Sequence, residues 1–336
     1  VSLEPIARYE TERGILIYRI TAQVFPMLTA NIYVLVDGAY AALIDTGSGL
    51  GASSDHIRRG IEQIRDDWGE AVDWASLARI VITHAHVDHY GGLGALRDLT
   101  SAPVAVHELD RRVLTHHEER LTMASHAISS FLWRAGVSES SHASLMGMYG
   151  WSKGLLRSVD VETVLHDGDL LDNRMLVRHM PGHCPGQVCL QIDDVLLSAD
   201  HVLPHTSPHL APESITPSTG LGHYLDALHT IAAVPGIRLA LGGHEGPMHD
   251  MYARIEEIEA SHERKLGRVF DVCAQPRTIN ELSKLLYPNV NSYDILLALE
   301  ETGAHVEYLD QRGELAIANL DEVANDDRAA PRYHRL

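Results

Sequence analysis

The stretch that decides the fold is Arg79-Ile80-Val81-Ile82-Thr83-His84-Ala85-His86-Val87-Asp88-His89. It opens as an apolar strand and closes as a loop crowded with imidazoles and a carboxylate. In extended chain, side chains two apart point the same way, so His84 and His86 can address one ion. If the chain then turns into a helix at Asp88, Asp88 and His89 project toward a neighbouring point. Four nitrogen and oxygen ligands within so short a run suit Zn²⁺ or a similar first-row cation. A polar surface loop is the plainer reading, but three His and an Asp at this spacing seldom arise by chance.

The same local setting recurs further along. His183 follows the apolar run Leu176–Met180, Asp200 follows Val195–Ser198, and His244 follows Leu239–Leu241. Each stands just past the end of a predicted strand, so one sheet edge can present all of them. Gly182, Gly242 and Gly243 let the backbone turn tightly there. Taken singly, a His after a strand is usually a turn or surface residue; taken together they reinforce the first motif.

Around these points the chain alternates strand and helix. Ile15–Ile20, Ile32–Val36 and Tyr40–Ile44 read as strands, the last two separated by the hairpin signal Asp37-Gly38. A helix carrying Ile57, Ile61, Ile64 and Trp68 follows, with Ser53 or Ser54 as its cap. Val104–His107 is a further strand. From about residue 110 to 159 the pattern turns helical and rich in Met and aromatic residues. Strands then return, interrupted by helices near Tyr224–Val234 and His249–Phe270. Two groups of strands, each followed by helices, predict an α+β chain of αββα layering. The tail differs: Thr278 and Glu281 form a capping-box pair, a second helix runs from Ser292 to about Gly303, and Val306–Leu309 with Leu315–Ile317 flank a turn at Asp310–Gly313. That outline predicts a small winged-helix-like domain over 261–336 after a catalytic domain over 1–260, with frayed ends from Asn325.

The order His84-x-His86-x-Asp88-His89, then His183, Asp200 and His244, resembles the metallo-β-lactamase superfamily over approximately residues 15–260. The resemblance implies that His84, His86 and His183 hold one metal, that Asp88, His89 and His244 hold a second, and that Asp200 bridges the pair. Asp45, in Asp45-Thr46-Gly47, matches the acidic turn residue that braces the His loop; a turn-forming Asp before Gly is the bland alternative. Two divalent ions (Zn²⁺, with Fe or Mn²⁺ as other choices) would acidify a shared water and polarise a substrate carbonyl or phosphoryl group, with Asp88 orienting that water and taking its proton. No Ser or Cys nucleophile is then required, and Cys184 beside His183 reads as a packed thiol.

Composition narrows the partners. The formal net charge of −19 and the lack of any run of five Lys or Arg argue against nucleic acid and anionic membrane. No apolar run approaches the ~18–20 residues needed to span a bilayer. Glu4, Glu10 and Glu12 keep the first segment from reading as a signal peptide. Three cysteines are too few for a disulfide framework, which predicts a reducing, cytoplasmic setting. The histidine count of 22 exceeds what packing needs; His116, His117, His126, His142, His201, His205, His209 and His223 read mostly as surface or packing residues.

Ligands specify a reaction class better than a substrate. Within the resembled family, a long insert and a small C-terminal domain point to glyoxalase-II-like and acyl-thioester hydrolases, acting on an apolar acyl substrate. Met and aromatic residues in the insert would pack on the sheets, form a lid, or make a homodimer contact. A lactonase, an endoribonuclease, or a metal-bound signalling protein with feeble turnover are the alternatives; acidic residues in the tail weigh against the nuclease, and the lack of a leader weighs against a true β-lactamase.

Overall fold

A computed structural model describes residues 3–336; Val1 and Ser2 lie outside the described residues. Along the chain the first strands are β1 (Ala7–Glu10), β2 (Leu16–Phe25), β3 (Leu28–Asp37) and β4 (Tyr40–Ile44), followed by α1 (Ser53–Trp68) and β5 (Arg79–Val81). Two single-turn helices, α2 (Val87–Tyr90) and α3 (Leu93–Leu96), lead to β6 (Val104–His107). Three helices follow: α4 (Glu108–Thr115), α5 (His117–Arg134) and α6 (Glu139–Lys153). Strands resume with β7 (Thr163–Leu165), β8 (Leu170–Leu171), β9 (Met175–His179), β10 (Val188–Ile192) and β11 (Val195–Ala199). Then come α7 (Leu221–Ala232), β12 (Leu239–Gly242), β13 (Pro247–Met248) and α8 (Met251–Val272). The tail holds α9 (Ile279–Leu286), α10 (Asp294–Gln311), β14 (Leu315–Ile317), α11 (Leu320–Asn325) and β15 (Tyr333–Arg335).

The chain divides into two compact units. The first comprises Val1–His117, Leu156–Pro208 and Thr230–Arg254. Its seven-stranded sheet runs β1-β2-β3-β4-β5-β6-β7, and its six-stranded sheet runs β13-β12-β11-β10-β9-β8. Strand β3 shows why two layers form. Ile32, Val34 and Val36 point to one face, where they pack with Ile57, Ile61 and Ile64 of α1. Tyr33 and Leu35 point the other way, into a core shared with Val177, Val188, Leu190 and Leu197 of the second sheet. Apolar residues at both parities of one strand can be satisfied only if both faces are covered. This is the predicted α+β metallo-β-lactamase layering.

The edges from which the loops of the predicted site residues emerge are set by parallel pairing. Strands β4, β5, β6 and β7 are parallel neighbours, as are β11 and β12, so the ends of β4, β5 and β6 emerge on one edge and those of β11 and β12 on another. Helix α1 starts without the expected side-chain cap: its N-cap is Ala52, and the Ser53 hydroxyl instead accepts from the Ser48 N–H at 3.1 Å. That bond steadies the turn after Asp45 rather than the helix.

The second unit comprises Glu118–Leu155, His209–His229 and Ile255–Leu336. Here α5 and α6 share one core with the tail: Ile128, Phe131, Leu132, Leu145 and Tyr149 pack with Leu282, Leu296, Leu299, Val306 and Leu309. The insert and the tail, read from sequence as separate parts, therefore bury their apolar faces in common. The predicted capping box is present at the start of α9, where the Thr278 hydroxyl accepts from Glu281 N–H and the Glu281 carboxylate accepts from Thr278 N–H. The predicted hairpin is not. Val306–Leu309 continues α10 to Gln311, and Leu315–Ile317 pairs instead with Tyr333–Arg335. Leu296, Leu299, Val306 and Leu309 are all buried, spaced as one helical stripe, and this outweighs the β-branched character of the short run. The tail end is likewise ordered into β15 rather than frayed. No helix among the described residues is long and apolar enough to cross a membrane.

Candidate metal centre

The loop after β5 delivers the first four side chains. The chain bends at Thr83, His84 and Ala85 rather than running on extended as expected, and α2 begins at Val87 with His86 as its extended N-cap. Asp88 and His89 then sit on the first turn, pointing beside the two earlier imidazoles. His183 follows β9, Asp200 follows β11 directly, and His244 follows β12.

All seven predicted residues converge. Ligand-capable atoms of His84, His86 and His183 lie within 4.8 Å of one another, and so do those of Asp88, His89 and His244. Asp200 reaches both groups. Its Oδ2 is 3.7 Å from His183 Nε2 and 3.3 Å from His244 Nε2, while its Oδ1 is 3.5 Å from His89 Nε2. Asp88 Oδ2 lies 3.5 Å from His244 Nε2 and 3.8 Å from His89 Nε2. Asp200 is also the carboxylate that lies within 4.0 Å of His84 Nε2.

Several imidazoles are oriented from behind. The Nδ1–H of His89 donates to Asp45 Oδ2 at 2.8 Å, that of His244 donates to the Thr29 carbonyl at 2.6 Å, and His84 Nδ1 lies 3.1 Å from the Thr83 hydroxyl. With the δ nitrogen engaged, the ε nitrogen faces the cluster. Asp45 is the centre of this bracing: it also accepts from Thr83 N–H and Thr83 Oγ1–H, each at 2.8 Å. It adopts φ of 64°, a left-handed conformation that Asp tolerates better than most residues. A turn-forming Asp and a bracing Asp are thus the same residue.

The donor set fits cations. His84 Nε2, His89 Nε2 and Asp200 Oδ1 are buried and make no hydrogen bond, a costly state for polar atoms unless something binds them. The charges agree. Burial opposes ionisation of His244, yet Asp200 and Asp88 push it up to about 10. Burial would likewise lower His89, but Asp200, Asp88 and Asp45 hold it well above the usual range. Burial raises Asp200 and Asp88, and the neighbouring imidazoles outweigh it and hold both low. His84 goes the other way, driven down by burial and by His89 and His86. The cluster therefore demands compensating positive charge, from protons or from metal ions that displace them.

Two residues in this unit escaped the sequence reading. Asp110, fully buried in the first turn of α4, accepts from Ala85 N–H and Gly186 N–H, each at 2.8 Å. Gln187, with its amide oriented by the hydrogen-bond network, accepts from Asp200 N–H at 3.1 Å and His201 N–H at 3.0 Å. Neither has a motif of its own; each matters through backbone amides that spacing does not reveal. Cys184 is buried, and burial together with Asp110 pushes its thiol well above its ordinary value, as expected of a packed thiol.

A further group, His262, Glu301 and His305, lies in the second unit. Glu301 already pairs with Lys265 at 2.8 Å and accepts from Leu210 N–H at 3.1 Å, and the two imidazoles are 3.1 Å apart. These residues form a polar network joining α8 and α10. His209, read from sequence as a surface or packing residue, pairs with Glu300 at 2.7 Å in this same unit.

Comparison with known proteins agrees with the geometry. The human acyl-coenzyme A thioesterase MBLAC2 is 29% identical over 181 residues, covering 52% of this chain and 58% of that protein, so the match spans little more than half of the relative. A metallo-beta-lactamase family protein from Thermus thermophilus superposes with a TM-score of 0.77 at 26% identity, covering 95% of this chain and 98% of that one. A beta-lactamase domain protein from Burkholderia ambifaria shares the fold with a TM-score of 0.76 at 24% identity, over 98% of this chain and 94% of its own. The sequence model of the Metallo-beta-lactamase superfamily matches residues 26–270, a stretch that holds Asp45 and all seven residues of the first cluster, and the chain is a member of that superfamily.

Proposed function

We propose that this chain is a metal-dependent hydrolase that cleaves acyl thioesters, with His84, His86 and His183 holding one divalent cation, Asp88, His89 and His244 a second, and Asp200 between them. The observation that carries this reading is the pair of three-residue groups with the Asp200 carboxylate reaching both. When bound, two such ions supply Lewis acidity and bring the pKa of water toward neutrality. The protein's share is placement. Asp45 and the Thr29 carbonyl fix the imidazoles of His89 and His244, so little reorganisation is left for the reaction itself. Asp88, beside His89 and His244, would orient the attacking water and accept its proton through the carboxylate oxygen that does not engage the cation. The thioester preference is supported by the relative named acyl-coenzyme A thioesterase, and the chain's negative charge weighs against the alternative of a nucleic-acid substrate.

The test is elemental analysis of the purified protein followed by hydrolysis of acyl thioesters of graded chain length by the Zn²⁺- or Mn²⁺-loaded enzyme, with His86→Ala as control. Metal-dependent turnover that His86→Ala loses is expected. No turnover of any thioester by protein carrying two metals would overturn the thioesterase reading, and turnover of lactones or phosphodiesters would replace it.

A further inference from the structure

The loop bearing His84 and His86 and the loop bearing His183 come from different sheets, yet to share a cation their imidazole nitrogens must be placed to within a few tenths of an ångström. Main-chain pairing ties their bases, where Val188 N–H donates to the Thr83 carbonyl at 2.9 Å. Nearer the imidazoles the joint is a single carboxylate. Asp110 Oδ2 accepts from the N–H of Ala85, the residue between the two histidines, at 2.8 Å. Its Oδ1 accepts from Gly186 N–H at 2.8 Å, and the Cys184 thiol donates to Oδ2 at 3.2 Å. Cys184 follows His183 directly, so one side chain holds both loops at once. The start of α4 is capped by His107, whose ring accepts from Leu109 N–H, which leaves Asp110 to reach outward.

We infer that Asp110 is a positioning residue for the candidate metal centre, a buried clamp that keys the His84–His86 loop to the His183 loop and so sets the affinity of the cation those three histidines share. The inference rests on the metal-hydrolase reading above. Gly186 belongs to the same device. A methyl group there would stand 2.5 Å from Asp110 Cγ and 2.8 Å from its Oδ1, so the clamp closes only on a residue with no side chain. The thiol is the weakest of the three donors, and its loss should matter least.

The experiment uses the full chain loaded with Zn²⁺ and challenged with a graded chelator, counting retained metal by elemental analysis, with circular dichroism and melting of each metal-free form. Wild type should retain two ions. In Asp110→Asn, which keeps the shape but sets an NH₂ group among donors, one ion should bind 10–100-fold more weakly, the range typical of partners behind metal ligands, while the other stays near wild type. Gly186→Ala should give the same ordering with Asp110 intact, and Cys184→Ala should stay within about threefold. Faster amide exchange at Ala85 and Gly186 in Asp110→Asn should accompany the loss. A purely structural role would lower the melting temperature without separating the two affinities. Equal affinities in wild type, Asp110→Asn and Gly186→Ala overturn the clamp; wild type that holds no tight ions overturns the metal-hydrolase reading and the clamp with it. Should Asp110→Asn fail to fold, Gly186→Ala decides.

Discussion

Gly243→Ala probes the assembled site without replacing any ligand-type residue. A Cβ at this position would stand 2.2 Å from Asp200 Oδ1 and 2.8 Å from His89 Cε1. The residue itself cannot retreat. Its N–H donates to the Ala199 carbonyl at 2.7 Å, and its own carbonyl accepts from Asn31 N–H at 2.7 Å. The Asp200 carboxylate must therefore give way by about 0.8 Å or more to reach a tolerable separation, and a misplacement near 1 Å costs roughly 10²-fold in catalysis. Overpacking of this kind costs about 1–3 kcal/mol of stability, so the variant should fold while losing at least about 10²-fold in kcat/KM. The assay is steady-state thioester hydrolysis paired with metal content. Wild-type turnover and two tightly held ions in Gly243→Ala would refute both the contact geometry and the assigned place of Asp200.

Three further outcomes are expected. Stripping metal with a chelator should lower the melting temperature reversibly, because an ion present at 1,000 times its Kd stabilises the folded form by about 4 kcal/mol; calorimetry before and after reloading reads the change, and no shift would count against a bound cation. Thr278→Ala removes the side-chain half of the capping box at α9 and should cost about 1 kcal/mol in urea unfolding; an unchanged midpoint would show the cap to be idle. Acid should weaken the second unit. Burial pulls His262 down to about 3, and Glu301, whose burial is outweighed by His305 and Lys265, falls to about 2. Both folded values lie below the unfolded ones of 6.5 and 4.5, so the unfolded chain binds protons first and stability is lost as pH falls, from 6.5 downward for His262 and from 4.5 for Glu301. Denaturation midpoints between pH 7 and 4 measure this; a flat profile would contradict it.

The ligand-type residues were legible because the chemistry repeats one local rule, a polar residue just past an apolar strand. His183, Asp200 and His244 obey it as plainly as the His84–His89 loop does. The strand over Ile32–Val36 was also read, although its two covered faces, Ile32 and Val34 against Tyr33 and Leu35, emerged only with the folded sheets. What escaped was carried by long-range packing or by main-chain groups. The hairpin expected at Val306–Leu309 failed because helical burial against Phe131 and Leu132 is invisible to a local pattern. Asp110 and Gln187 act on amides far away in sequence, and no spacing rule points from residue 110 to residue 186. Asp45 fell between these cases: its turn was evident and the resemblance implied that it braces the His loop, whereas its particular partners, His89 and Thr83, became apparent only in the folded chain.

The residues gathered around Asp200 enter the chain piecemeal, from Asp45 near the start to His244 well past the middle. During synthesis the growing polypeptide exposes the His84–His89 run long before its partners exist, so early on it can offer only an incomplete chelate. On the proposed assignment, the His84, His86 and His183 group is complete once Asp200 is made, whereas the Asp88, His89 and His244 group must wait until β12 has docked beside β11. Uptake of that second ion would then be a late checkpoint in maturation, and refolding followed by metal incorporation would report when that last parallel pairing is made.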